Sequence, residues 1–338
     1  MRKSNLDLAR VAAIMAIVLG HTLMIFWDFD PSSPVWAVYN LMWILVRGTL
    51  MLFFMISGTL FLSREKLDFW RHMRRVGHLL ALFYIWSLIS CGIDARFLHY
   101  WAHEGDAFLP MVLGGYFHLW FLPTMAMCYC ALPLLHGLAH EDKENVWRGS
   151  LLLFAIVTVR TTLGAVPDKP EWLEAALRPY DLRYFQYFVI MPMGWQLSER
   201  RLSKKALGIL GAVTLAACLF FAWLNRRHAV SVGAAVDTYY GDLTVTAGLM
   251  ACFLYSLLLR VEKLPPRLCG VLKVLSDASF GVYLLHPLVI DALRSRHLDL
   301  TQYSAVWLFP LCYAAFLLLP LGVSMLMLKI PGLKKFVS

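Results

Sequence analysis

Apolar segments of about 20 residues recur along almost the entire chain of 338 residues, and this pattern constrains the fold more than any other feature. Inside a lipid bilayer each backbone N–H and C=O needs a partner within the protein, so segments of this length form helices that cross the membrane. The composition agrees, because 59% of the residues are hydrophobic and only 16% are charged, against roughly 45–50% and about 25% in soluble proteins. These values argue against a soluble enzyme, a nucleic-acid binder and a disordered chain.

The apolar segments predict an all-α integral membrane protein, a bundle of about ten transmembrane helices in a single membrane domain that covers residues 1–338. The first segment is long and has no Ala-x-Ala cleavage site, which indicates a retained spanning helix rather than a signal peptide. The predicted segments are 6–26, 41–62, 74–93, 116–138, 149–166, 184–198, 206–224, 242–260, 276–293 and 305–328.

Lys and Arg are distributed asymmetrically between the predicted loops. With the N-terminus in the cytoplasm, the inner loops hold roughly twice as many of them as the outer loops, which favours a multi-pass protein with both termini cytoplasmic. The net charge of +9 therefore indicates membrane topology, and we expect no nucleic-acid partner. The seven cysteines have no CxxC spacing and mostly lie in apolar segments, so we expect buried thiols and no metal site.

The first apolar segment carries three ionisable residues, Asp7, Arg10 and His21. Such groups cost several kcal/mol in lipid unless they are paired or hydrated, so each is a functional candidate. At 100° and 1.5 Å per residue, Arg10 and His21 lie about 20° apart on one helical stripe and about 16 Å apart along the axis. Asp7 can pair with Arg10, which leaves open that these two residues only neutralise each other. His21 has no carboxylate within a turn and lies beside Gly20, where another backbone can approach closely.

Polar residues lie at a similar depth, in the outer third of the bilayer, on three other predicted helices. They are Arg47, His118 and His286, and the alternative is that they extend to the lipid headgroups. Trp120 can serve at a binding site or pack as an interfacial aromatic residue. Tyr283 lies one turn before His286 and is expected on the same face of that helix.

Five motifs follow one another in the order expected for a known membrane family. They are the R-x10-H pair of Arg10 and His21, LFFMISG at 52–58, RHMRR at 71–75, HLWFL at 118–122 and SFGVYLLHP at 279–287. With these motifs the chain resembles the acyltransferase 3 family of integral membrane acyltransferases over nearly its whole length. Its layout is most similar to the stand-alone polysaccharide O-acetyltransferases, of the enterobacterial common antigen O-acetyltransferase type.

The resemblance implies transfer of an acetyl group from cytoplasmic acetyl-CoA to a sugar hydroxyl of a surface polysaccharide or its lipid-linked precursor. It implies a multi-pass protein of the bacterial inner membrane, with acetyl-CoA as co-substrate, no bound cofactor, and a glycan or lipid-linked glycan as the acceptor. Arg71, Arg74 and Arg75 lie on the predicted cytoplasmic side, where guanidinium groups bind the phosphates of CoA. Arg10, deeper on that side, is expected to meet the pyrophosphate or the pantetheine arm.

For this reaction we expect Arg10 and His21 to be the catalytic residues, with His21 either as the base for the sugar hydroxyl or as a transient acyl carrier. Arg47, His118, Trp120, Tyr283 and His286 are expected at the acceptor or oxyanion site. The alternative function is a transporter or flippase for a lipid-linked sugar, which would use the same polar groups without covalent chemistry.

Overall fold

A computed structural model of the chain describes residues 4–27, 29–99, 108–170, 183–297 and 304–337, and the regular elements in these ranges are helices. The α-helices are α1 (Ser4–Ile25), α2 (Pro34–Arg47), α3 (Met51–Leu62), α4 (Phe69–Ile93), α5 (Phe108–Gly114), α6 (Phe121–Glu141), α7 (Lys143–Gly164), α8 (Ile190–Glu199), α9 (Lys204–Val232), α10 (Val245–Leu259), α11 (Pro266–Arg294), α12 (Ala305–Lys329) and α13 (Pro331–Lys334). Two 3₁₀ segments, Gly48–Leu50 and Arg183–Val189, and a π-helical turn, Asp94–Leu98, extend neighbouring helices.

The predicted all-α membrane fold is confirmed. Across the described residues, eight helical segments are long and apolar enough to cross a membrane, with α2 and α3 counted as one segment. The predicted segments 184–198 and 242–260 also fall on helices, but these are shorter. The first covers the 3₁₀ segment Arg183–Val189 followed by α8, and the second covers the 15 residues of α10. The cytoplasmic position of both termini stays a prediction.

Polar side chains fix the beginnings of several helices. The N-terminal N–H groups of a helix lack partners within the helix, and a preceding Ser, Thr or Asp supplies an acceptor. Asp68 accepts a hydrogen bond from the Arg71 backbone N–H at the start of α4, and Ser203 and Thr244 do the same for α9 and α10. The three arginines of 71–75 therefore lie in the first two turns of α4.

The chain forms two compact units. Unit 1 comprises Met1–Arg64 and Leu134–Leu272, and unit 2 comprises Glu65–Pro133 and Lys273–Ser338. The long helices α6 and α11 each contribute residues to both units.

In unit 1 the helices α3 and α8 cross at very short range, because each presents a glycine at the crossing. A Cβ atom on Gly58 would collide with the Met191 backbone, and one on Gly194 would collide with Met55. The Thr59 hydroxyl donates to the Gly194 carbonyl at 3.0 Å across the same contact. Small residues at a helix interface let two backbones approach in this way.

Unit 2 is closed by the C-terminal residues of the chain. The Trp86 indole N–H donates to the Phe336 carbonyl at 2.8 Å, which joins α4 to the segment after α13. The Ser324 hydroxyl donates to the Ala278 carbonyl at 2.9 Å, which joins α12 to α11. These bonds satisfy polar groups that would otherwise be buried without partners.

Candidate functional site

The stripe predicted on α1 exists, because α1 runs without interruption from Ser4 to Ile25. Because the helix is unbroken, Arg10 and His21 lie on one face of it, about 16 Å apart along the axis, and both are half-buried. Ile14, one turn after Arg10 on that face, is buried. Helix α1 packs against α2, α3 and α10 of its own unit. The middle of the stripe therefore lies against protein.

At the N-terminal end of the stripe, Arg10 has an acidic neighbour. Its guanidinium donates to the buried Asp7 carboxylate at 3.3 Å. The predicted pairing of Asp7 with Arg10 is thus present. In the contact of α3 with α10, the Tyr255 hydroxyl lies 2.6 Å from the Thr59 hydroxyl.

Arg47, at the end of α2, lies among two carboxylates and an indole. Its Nη1 donates to Asp242 Oδ1 at 2.9 Å and its Nη2 donates to Asp237 Oδ2 at 3.1 Å. Its Cζ lies 4.5 Å from the centroid of the Trp43 ring. We call these four residues the Arg47 group. Both aspartates come from the segment between α9 and α10. Asp242 begins the predicted segment 242–260 and could have been noted as a carboxylate at the end of a span, whereas Asp237 lies outside every predicted segment.

His21 and Arg47 are carried by helices that pack together. A Cβ atom on Gly20 would lie 3.4 Å from Val46 Cγ2 and 3.8 Å from Trp43 Cζ3, which is ordinary van der Waals contact. The turn of α1 that carries His21 therefore packs on the turn of α2 that carries Arg47. The structure brings these two predicted residues into one helix contact within unit 1.

In unit 2, three predicted residues come together at the start of α6 and the middle of α11. The Tyr283 hydroxyl donates to the His118 carbonyl at 2.6 Å. The ring centroid of His118 lies 5.5 Å from that of Tyr283 and 6.2 Å from that of His286. His118 is 3% exposed and His286 is fully buried, so both imidazoles lie inside the protein.

The hydrogen bond of His286 fixes one of its protons. Its Nδ1 lies 2.9 Å from the Val282 carbonyl oxygen, and a carbonyl can only accept, so Nδ1 carries the hydrogen. In the neutral ring Nε2 is then the basic nitrogen. The next residue, Pro287, has no N–H, so the Tyr283 carbonyl lacks its usual helical donor. In this turn of α11 one backbone carbonyl therefore accepts from an imidazole, and the next carbonyl has lost its helical N–H donor.

A buried acidic pair lies beside the imidazoles. The Tyr116 hydroxyl donates to Asp291 Oδ2 at 2.8 Å and lies 3.4 Å from Asp94 Oδ1, and all three residues are buried. The Tyr116 ring meets the His118 ring edge to face at 5.7 Å. We call the combined set the His118 cluster, which comprises Asp94, Tyr116, His118, Tyr283, His286 and Asp291.

Sequence reasoning missed three members of this cluster, although one of them carried a usable signal. Asp291 lies inside the predicted segment 276–293, where any carboxylate is a functional candidate. Asp94 and Tyr116 lie at the ends of apolar segments, where polar residues are common and carry little information.

The remaining predicted residues are not members of the Arg47 group or of the His118 cluster. Arg71 and Arg74 are exposed and Arg75 is half-buried, and their spacing of three and four residues places them on one face of α4. Trp120 is half-buried directly before α6. Over the described ranges, no three His, Cys, Asp or Glu side chains come together as metal ligands.

A comparison with protein families gives a match over almost the entire chain. The model of the Acyl_transf_3 family, described as an acyltransferase domain, matches residues 3–329, a range that covers most of both units and every predicted site residue. Neither a search of curated proteins nor a search of solved structures gives a significant match.

Proposed function

Because the chain belongs to the acyltransferase 3 family, we propose that it is a membrane O-acetyltransferase. It transfers an acetyl group from acetyl-CoA to a sugar hydroxyl of a surface polysaccharide or its lipid-linked precursor, in the inner membrane of a bacterium. The observation that carries this proposal is the stripe on α1. The stripe has the Arg10 guanidinium at one end and the His21 imidazole at the other, and its middle lies against protein.

The reaction needs a proton acceptor. A sugar hydroxyl attacks the thioester carbonyl, a C–O bond forms, the C–S bond breaks, and the hydroxyl proton leaves. Imidazole titrates near neutral pH and therefore serves as the base, and we assign this role to His21. The proton then passes to the CoA thiolate. Alternatively, His21 carries the acetyl group briefly and passes it to the sugar.

The donor carries several phosphate charges, which need cations on the side where acetyl-CoA is available. Arg71, Arg74 and Arg75 provide three guanidinium groups on one face of α4, and a guanidinium binds phosphate through two parallel hydrogen bonds. Arg10 has a half-buried charge paired with Asp7 and is suited to the pyrophosphate or the pantetheine amides.

The His118 cluster supplies hydrogen-bond donors and acceptors in the protein interior. Preorganised donors stabilise the negative charge that develops on the thioester oxygen, and they are most effective where water is excluded. We assign His118, Tyr283 and His286 to this role or to orientation of the acceptor. Trp120 offers an aromatic face to a sugar ring.

The proposal is tested by comparing the surface glycans of cells that contain this protein with those of cells that lack it. We expect an acetyl mass increment, released by mild base, that depends on the protein, and we expect the purified protein in lipid nanodiscs to consume acetyl-CoA when a membrane glycolipid extract is added. A transporter of lipid-linked sugar would change the location of the glycan without consuming acetyl-CoA. That result would contradict the proposal.

A further inference from the structure

The Arg47 group has a charge and a hydrogen-bonding capacity that a closed ion pair would not have. One guanidinium faces two carboxylates, so the group carries one net negative charge. Each carboxylate gives one oxygen to Arg47, which leaves Asp242 Oδ2 and Asp237 Oδ1 outside the ion pair. The Asp237 side chain is 52% exposed and that of Asp242 is 30% exposed, so both carboxylates are partly accessible to a ligand.

Two buried donors in the same group have no acceptor. Trp43 is only 5% exposed, and its indole Nε1 is buried without a hydrogen-bond partner. Arg47 Nε is likewise buried and has no hydrogen-bond partner. An unsatisfied buried donor costs free energy, and a native structure retains one where a ligand or water completes it. The group therefore has partly exposed acceptors for a hydroxylated ligand and two buried donors that are still unsatisfied.

The segment that supplies the two aspartates is held in place independently of them. The buried Tyr240 hydroxyl donates to Asn40 Oδ1 on α2. Asn225 Nδ2 on α9 lies 2.9 Å from the same oxygen and 2.8 Å from the Val236 carbonyl. These bonds join the segment to both helices, so Asp237 and Asp242 keep their places without a ligand. Preorganised acceptors of this kind bind with little entropic cost.

We propose that the Arg47 group is a binding subsite for the acceptor sugar. Asp237 and Asp242 accept hydrogen bonds from hydroxyls of the ring, and Arg47 and Trp43 hold the two carboxylates at a fixed spacing. The contact of Gly20 with Trp43 places this subsite on the helix pair that carries His21. The net negative charge selects an uncharged sugar ring over one that bears a carboxylate or a phosphate. This inference rests on the proposed acetyl transfer.

A purely structural latch between α2 and the aspartate segment is the competing explanation. A latch and a subsite differ in what they do to specificity. Loss of a latch lowers transfer to every acceptor by the same factor. Loss of one carboxylate from a subsite changes the preference between a neutral and an anionic acceptor, because the field at the ligand changes by one charge.

The test uses the full-length protein in nanodiscs with labelled acetyl-CoA and three acceptors: a membrane glycolipid extract, octyl glucoside and octyl glucuronide. We expect the wild-type protein to prefer the glucoside in kcat/KM. Asp237→Asn and Asp242→Asn keep an acceptor oxygen for Arg47, and we expect each to reduce this preference by about tenfold with an unchanged KM for acetyl-CoA.

Two matched variants control for loss of a carboxylate elsewhere. Glu262→Gln removes the partner of Arg201 from an exposed ion pair. Asp30→Asn removes an exposed carboxylate between α1 and α2, which is ionised at neutral pH because hydrogen bonds from the side chain and backbone of Ser32 lower its pKa. We expect both variants to keep the wild-type preference.

Four outcomes would overturn the inference. Equal losses on both glycosides in the aspartate variants would identify a latch, and wild-type kcat/KM values on both glycosides would remove the carboxylates from acceptor binding. Transfer to the glycolipid extract but to neither glycoside, or a wild-type preference for the glucuronide, would show that an uncharged ring is not the ligand. Absence of acetyl-CoA consumption with all three acceptors would instead overturn the proposed function itself.

Discussion

The Arg47 group of unit 1 and the His118 cluster of unit 2 solve the problem of polar side chains in a membrane protein in opposite ways. The Arg47 group pairs opposite charges and leaves two carboxylates partly exposed. The His118 cluster buries imidazoles, phenols and carboxylates completely and connects several of them by hydrogen bonds. Exposed charges can exchange partners with a ligand at little cost, whereas a buried network must remain intact. We therefore expect substitutions to affect specificity in the first region and stability in the second.

The largest effect on stability is expected from Asp291→Ala, which removes the acceptor of the Tyr116 hydroxyl inside the His118 cluster. A buried polar group that loses its partner costs about 1–3 kcal/mol, and more when a charged group is involved. We expect a clearly lower thermal midpoint in detergent, measured by fluorescence-detected size exclusion. Asp277→Ala is the matched control, because it removes an exposed acid on the same helix. Equal midpoints for the two variants would contradict the assignment of a buried network.

A smaller effect is expected from Tyr283→Phe, which keeps the ring and removes only the hydrogen bond to the His118 carbonyl. A single such bond contributes about 1 kcal/mol to stability. We expect a modest fall in the thermal midpoint but a larger fractional loss of acetyl transfer, because the orientation of His118 changes. Tyr313→Phe, on α12, serves as the control. A loss of stability without a loss of activity would place the cluster outside the reaction.

Arg47→Lys is expected to lower stability less than either substitution in the cluster. A lysine ammonium lacks the planar fork that binds Asp237 and Asp242 together, but partly exposed ion pairs contribute only about 0.2–1 kcal/mol each. We expect a small change in thermal midpoint with a lower kcat/KM for the neutral acceptor, because the two carboxylates lose their fixed spacing while the net charge of the group stays the same. A fall in midpoint as large as that of Asp291→Ala would show that the Arg47 group is mainly structural.

The smallest effect is expected from salt. Raising the ionic strength from about 0.01 M to about 1 M shortens the Debye length from roughly 30 Å to roughly 3 Å and screens exposed charges. We expect the difference in stability between wild type and Arg47→Lys to shrink by a few tenths of a kcal/mol, while the difference between wild type and Asp291→Ala stays constant. The reverse pattern would contradict the contrast between the two regions.

The sequence was sufficient to predict the helices and the stripe on α1. Lipid forces an apolar segment into a helix, so segment length alone predicted elements as distant as α1 and α12. The eleven-residue spacing of Arg10 and His21 predicted a common face because α1 has no break. The same rule predicted α8 and α10 as full spans, although they have only 10 and 15 residues.

The partners of the site residues were beyond sequence reasoning. Arg47 is separated from Asp237 and Asp242 by 190 and 195 positions. Contacts at such separation depend on tertiary packing, and Asp237, which lies outside every predicted segment, has no periodicity that reveals it. Tyr116 and Asp94 were missed for the same reason. Asp291 lay within a predicted span and could have been recognised as a buried acid from its position alone.

The role of His21 is tested most directly by acetyl transfer from labelled acetyl-CoA to a glycolipid extract, measured for purified His21→Ala and wild-type protein in nanodiscs. His140→Ala, at the exposed end of α6, is the matched control. We predict that transfer by His21→Ala falls at least about 100-fold, as expected for loss of a catalytic base, while His140→Ala and the thermal midpoints of both variants stay near wild type. Transfer by a folded His21→Ala protein at the wild-type rate would contradict the account.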